Sequence, residues 1–193
     1  MFNDRYGLTQ AVIEGRKTMA MMLINIKSTS DVQVRIFAGY IQIIGRSGDV
    51  CAEKKLSYKV GEVVAVAQRY QDIFDYSNCV NPYAWEDDDK PSGWTNKMLT
   101  KAELMPHQIR ITGIKCERLQ DISDEDCFRE GISESWYEST DTTTYGYADE
   151  KKGTAVESDT PCEAFASLID KVSGRGTWQR NPWVVAYEFE LVK

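Results

Sequence analysis

The spacing of apolar side chains changes period several times along the chain, and each change marks an element. Residues 8–14 place Leu8, Ala11 and Val12 on one face of a short helix, which Gly15 can close. Residues 19–26 are apolar at both parities as far as Asn25, the pattern of a strand buried on both faces. Val32, Val34 and Ile36 alternate with Gln33 and Arg35, which predicts a half-buried strand, and Ala38-Gly39 turns the chain into a second one over 40–44. Residues 45–49 (Gly-Arg-Ser-Gly-Asp) read as a turn, and 63–67 (Val-Val-Ala-Val-Ala) as another strand. Residues 75–97 read as a polar loop.

Over 108–118 the apolar parity reverses. Ile109 and Ile111 are odd, Ile114 and Cys116 are even, and the switch falls at Gly113. An extra residue beside a glycine is what a β-bulge needs, so the pattern predicts one bent strand. Ser123, followed three residues later by Asp126, predicts the start of a helix that Gly131 ends. Residues 133–159 are rich in Ser, Thr, Tyr, Gly and charge, with little apolar periodicity, and read as a mobile insertion. Thr160-Pro161-Cys162-Glu163 is a full capping box, and Phe165, Leu168, Ile169 and Val172 line one face of the helix that follows. The last strand covers 183–192, with Trp183, Val185, Tyr187, Phe189 and Leu191 opposite Glu188 and Glu190.

Strands with few, segregated helices predict an α+β fold around a curved or barrel-like sheet. Segments 19–26, 63–67, 108–118 and 183–192 are expected in that one sheet. A chain of 193 residues suits one domain of ordinary size. Lys+Arg total 23 and Asp+Glu 30, and the net charge of −7 argues against sequence-independent DNA binding. The charge is uneven: +4 over residues 1–60 and −9 over 120–160. The N-terminal third can therefore present a basic face containing Arg16, Lys54, Lys55 and Lys59. The acidic run 86–89 reads as a solvated loop, since four adjacent carboxylates cannot converge on one cation. Five cysteines without a Cys-x-x-Cys pair, and one histidine, His107, give no zinc pattern, so no metal or other cofactor is expected. No apolar signal core opens the sequence and no 18-residue apolar run follows, so the expectation is a cytoplasmic protein with free thiols and no membrane association.

Several segments, taken in order, resemble a known family. They are 8–18 (Leu-Thr-Gln-Ala-Val-Ile-Glu-Gly-Arg-Lys-Thr), 58–64 (Tyr-Lys-Val-Gly-Glu-Val-Val), Met105-Pro106-His107 with Arg110-Ile111-Thr112, 117–126 (Glu-Arg-Leu-Gln-Asp-Ile-Ser-Asp-Glu-Asp), Glu130-Gly131, and Asn181-Pro182-Trp183 before the last strand. This order resembles the ASCH-domain proteins of phages and prophages, which belong to the PUA-like superfamily. The Glu-Arg-Leu-Gln-Asp-Ile-Ser stretch is its most specific part. The likeness implies a PUA-like curved sheet or pseudo-barrel with a few flanking helices around a cleft. Residues 1–193 then form a single domain with insertions at 27–57 and 133–159. It also implies RNA or a nucleotide as partner. Some small ASCH proteins are similar to amidohydrolases that deacylate a modified cytidine nucleoside, using a lysine and a threonine of a Gly-x-Lys-Thr-x-Thr-x-Arg motif with a later glutamate.

Lys17 matches the motif lysine, and Glu130 is matched to the glutamate by its place at the helix end. These are the candidate catalytic pair. The second motif threonine is replaced by Ala20 and the arginine by Met22, and an Arg-Glu pair seen in many phage relatives reads Ala67 and Gln68 here. The hydroxyl nucleophile is missing where the family chemistry needs one. Candidate ligand-binding residues are Arg16, Lys17, Thr18, Gln68 and His107; Trp178 and Trp183 are candidates for stacking a base or for core packing. The sequence therefore leads to a module that binds RNA or a nucleotide in a degenerate catalytic pocket. The alternatives are a small amidohydrolase acting on an acylated nucleoside, or a structural, partner-binding phage protein.

Overall fold

The computed structural model describes residues 2–26, 32–74 and 91–192. Among the described residues, ten strands and five α-helices make an α+β fold built around a strongly curled half-barrel sheet. The main sheet contains β1 (Met19–Leu23), β5 (Val63–Ala65), β6 (Gln108–Arg118) and β10 (Trp183–Leu191), in the order β1-β10-β6-β5 with antiparallel neighbours throughout. These are the four segments that the apolar pattern assigns to one sheet. Between β6 and β10 the register shifts where Glu188 faces Gly113 and Phe189 faces Ile111. The extra residue is Thr112, so the bulge sits at the glycine where the parity reverses. It returns Ile114 and Cys116 to the core that already holds Ile109 and Ile111.

β10 is a central strand and is covered on both faces. Val184 belongs to a core with the helices, whereas Val185, Tyr187 and Phe189 belong to a second core inside the curl. The helical side is made by α1 (Leu8–Ile13), α3 (Asp124–Arg129), α4 (Pro161–Ser173) and α5 (Thr177–Arg180), with α2 (Tyr70–Ile73) following β5. Both predicted caps are present. The Ser123 Oγ accepts from the Asp126 amide at 3.1 Å, and the Thr160 Oγ1 accepts from the Glu163 amide at 3.2 Å.

Two three-stranded meanders flank this frame. The first is β2 (Gln33–Phe37), β3 (Tyr40–Ile44) and β4 (Val50–Lys55). The apolar pattern marks β2 and β3 but not β4, whose side chains are exposed throughout and carry no buried period. The second is β7 (Ser133–Tyr137), β8 (Thr142–Asp149) and β9 (Thr154–Ser158). It gives regular strands to the stretch 133–159 that the sequence, lacking apolar periodicity, reads as a mobile insertion. Thr and Tyr fit a pleated surface well, and Tyr147 is buried against the helical core.

Two other expectations change. The 19–26 segment is not a doubly buried strand: β1 is an edge strand that ends at Leu23, with Met22 and Leu23 both exposed. Its apolar run has a different cause, because Ala20, Met21 and Met22 line a cleft. The polar loop read over 75–97 falls largely outside the described residues; residues 92–95 form turns, with the Trp94 amide donating to the Pro91 carbonyl.

Candidate functional site

A cleft of about 550 Å3 is lined by residues of β1, β5, β6, β10 and α4. Its walls are mostly apolar and aromatic, with Phe2, Tyr58, Phe165, Tyr187 and Phe189 among the lining side chains. Two ring pairs stiffen it: Phe2 lies 5.6 Å from Phe189 in a tilted arrangement, and Tyr58 stands edge-on to Tyr187 at 5.4 Å. Tyr187 is held at its far end, where its hydroxyl accepts from the Ser57 amide at 3.1 Å.

Lys17 and Glu130 meet on the wall of this cleft. Glu14 is the C-cap of α1, and Gly15 follows it with φ +73°. The chain then turns Lys17 inward, and its amide donates to the Ala11 carbonyl at 2.9 Å. Glu130 is the C-cap of α3, where Gly131 at φ +106° lets the chain leave the helix. A side chain at Gly131 would press on the end of the Leu8 side chain at 3.2 Å, so the positive φ is what favours glycine there. The Lys17 Nζ donates to the Glu130 carbonyl at 2.7 Å and to its Oε2 at 2.5 Å. The Glu130 Oε1 accepts from the Met21 amide at 2.6 Å, which ties α3 to the edge strand. The pair is well buried, with Lys17 2% and Glu130 6% exposed. Two charges removed from water are tolerated only when each is paired and hydrogen-bonded, as both are here.

The other sequence candidates lie elsewhere. Arg16 projects into solvent and pairs with Glu14 at 2.6 Å. Thr18 follows Lys17, but its hydroxyl accepts from the Arg129 Nε at 3.4 Å, and it does not line the cleft. Arg129 in turn bonds Asp126 and Glu188, at 3.0 and 3.3 Å. Burial raises the pKa of the Asp126 carboxyl, but hydrogen bonds and charge from Lys115 and Arg129 outweigh it and hold the group below its ordinary value. Gln68 and His107 form a separate pair, with the His107 Nδ1 2.8 Å from the Gln68 Oε1. Gln68 also borders a polar hollow of about 600 Å3 beside Asp4, Thr9 and Arg69. Both tryptophans serve packing: Trp178 stands edge-on to Phe165 at 6.2 Å, and the Arg118 guanidinium lies 4.7 Å from the Trp183 ring centroid. Lys54, Lys55 and Lys59 are exposed.

Ala20 and Met22 both line the cleft, so the two positions at which the sequence departs from the motif face the Lys17–Glu130 pair's own cavity. Neither offers a hydroxyl or a charge. The aromatic lining was not marked as a site by the sequence, because an inward-facing Tyr or Phe in a strand looks the same whether it fills a core or walls a cleft. Among the described residues no group of three His, Cys, Asp or Glu side chains could hold a metal ion, and no helix is long and apolar enough to cross a membrane. Cys51, Cys116, Cys127 and Cys162 are free thiols; burial pushes Cys116 up to about 11. No family model, no curated protein and no solved structure matches the chain.

Proposed function

We propose that this chain is an ASCH-type, PUA-like module of a phage or prophage that holds the base of a nucleotide or of an RNA in its cleft, without efficient catalysis, in the cytoplasm. The observation that carries this reading is the buried Lys17–Glu130 pair on the wall of an aromatic cleft. Aromatic walls take the face of a base, and a fixed polar group takes its edge. The test is binding of the four ribonucleosides, their 5′-monophosphates and short RNAs to the wild type and to Lys17→Met. Binding to the wild type is expected to fall at least tenfold in Lys17→Met, and a binding curve unchanged by that substitution counts against the cleft.

A second reading, a small amidohydrolase for acylated nucleosides, is favoured by the same pair, since a lysine and a glutamate are the residues that the resemblance assigns to that chemistry. A general base needs a nucleophile within hydrogen-bond reach, and the motif hydroxyl is replaced by Ala20. Wild-type turnover on acylated cytidine is therefore expected to be weak or nil, with some gained in the double variant Ala20→Thr, Met22→Arg. Vigorous wild-type turnover abolished by Lys17→Ala reverses the order of the two readings.

A further inference from the structure

Two cysteines meet where α3 packs on α4, away from the cleft. Cys127 lies in α3 and is 0% exposed. Cys162 sits in the first turn of α4, just after Pro161, and is half-buried. The Cys127 thiol donates to the Cys162 Sγ at 3.8 Å. The Cys162 thiol in turn donates to the Asp124 Oδ1 at 3.3 Å, and its sulfur lies 3.8 Å from the Ile122 carbonyl oxygen. The sulfurs of a disulfide are about 2.05 Å apart, so these two need to close by only about 1.8 Å. Cys51 and Cys116 belong to other elements, β4 and β6. The chain between the two close cysteines holds the whole of the β7–β9 meander.

The surroundings hold both sulfurs as thiols. Burial pushes Cys127 up, and Cys162 with the charges of Asp124 and Glu130 pushes it further. Burial also raises Cys162, as does the Asp124 carboxylate that accepts its proton, while the bond from Cys127 works the other way. The thiolate is the nucleophile, so reaction at neutral pH is slow and Asp124 acts as a brake on it. The half-buried Cys162 is the sulfur that a small oxidant reaches first, and Cys127 is in place behind it to complete a bond.

We propose that Cys127 and Cys162 are an oxidative modification site, where a hydroperoxide makes a disulfide that clamps α3 to α4. The Cys162 thiolate attacks one oxygen of hydrogen peroxide, the O–O bond breaks, and hydroxide leaves a sulfenic acid on Cys162. Cys127 then gives up its proton, its sulfur attacks the Cys162 sulfur, and the S–O bond breaks as water departs. Two thiols are oxidised and one peroxide is reduced to two waters. The new bond spans 35 residues of sequence and joins the two ends of the segment that carries β7–β9. A cross-link of that length stabilises the fold by restricting the unfolded chain.

The test treats the folded full chain with hydrogen peroxide, blocks the remaining thiols, and maps the cross-linked peptides by mass spectrometry. A Cys127–Cys162 peptide is expected, lost again on treatment with dithiothreitol and absent in Cys162→Ser. The oxidised chain should unfold at a higher denaturant concentration than the reduced one. In Asp124→Asn the bridge should form about threefold faster or more, because the thiolate is no longer opposed by a carboxylate. Bridges that join other cysteines instead, or a Cys127–Cys162 bridge that forms only after denaturant has opened the chain, overturn the proposal. A bridged chain whose midpoint equals that of the reduced chain overturns the clamp, and an unchanged rate in Asp124→Asn overturns the brake.

Discussion

The two meanders have the same topology and are attached to the body of the protein in different ways. β2–β4 is attached by aliphatic side chains at alternate positions: Val34 and Ile41 are buried, with Ile36 and Ile43 packed against the same core. β7–β9 is attached by larger side chains: Tyr145 and Val156 pack against the helical core, and Tyr147 and Asp149 are buried. The Tyr147 hydroxyl lies 2.9 Å from the Ser167 Oγ of α4, and its ring meets Tyr6 edge-on at 5.7 Å. Asp149 is 1% exposed and accepts two bonds from the Arg5 guanidinium, at 3.1 and 3.2 Å. Inside the meander, β9 comes so close to Gly146 of β8 that an added Cβ would lie 2.1 Å from the Val156 carbonyl oxygen. Repeated aliphatic contacts leave a legible trace in the sequence, whereas contacts through Tyr and Asp do not.

If that contrast holds, the second meander should be the more sensitive to one well-placed change. Gly146→Val has the largest expected effect, a loss of about 3 kcal/mol or more, because the obstructing atoms are backbone and cannot rotate away. Chemical denaturation reads it, and an unchanged midpoint would mean that β8 and β9 do not approach as described. Ile41→Ala removes one contact of many. Its expected cost is about 2 kcal/mol, at the low end for a buried isoleucine, since the exposed β4 beside it can settle. A loss greater than that of Gly146→Val would erase the distinction between the two meanders.

The smallest effect concerns acid. Hydrogen bonds from Arg5 hold the Asp149 carboxyl below the usual carboxylate range. Its contribution to stability is therefore complete above the unfolded-state pKa of about 3.9 and is lost as pH falls through the lower folded value. Asp149→Asn should lower stability near neutrality and flatten the part of the stability–pH profile below about pH 4. Profiles for wild type and variant that stay parallel through that range would show that the Arg5 contact does not anchor β8.

The same contrast explains what the sequence made legible. The main sheet could be read because its strands carry concentrated apolar residues, and Gly113 could be read as a bulge because the apolar parity of β6 changes there. α4 could be read because Thr160 and Glu163 form its cap and three of its four apolar candidates are buried. β4 left no trace because none of its side chains is buried, and 133–159 left none because Tyr147, Asp149 and Gly146 are not aliphatic repeats. The run at 19–26 was misleading for the opposite reason, since apolar residues that wall a cleft look like residues that fill a core. Lys17 and Glu130 are 113 residues apart, so no local spacing could link them; the resemblance paired them, and the fold brings them within 2.5 Å.

The pairing of β1 with β10 has a consequence for timing. Met19 is matched with Glu188, so the first strand of the main sheet waits for the last one to be made. At synthesis rates of roughly 5–20 residues per second, that delay is on the order of ten to thirty seconds. Throughout it Met21, Met22 and Leu23 have no strand partner, and the cleft lacks the wall that carries Tyr187 and Phe189. A nascent chain therefore lacks the cleft. The cleft comes into being only when the sheet closes, and a ribosome stalled before β10 would hold an apolar edge that aggregation or a chaperone could claim first.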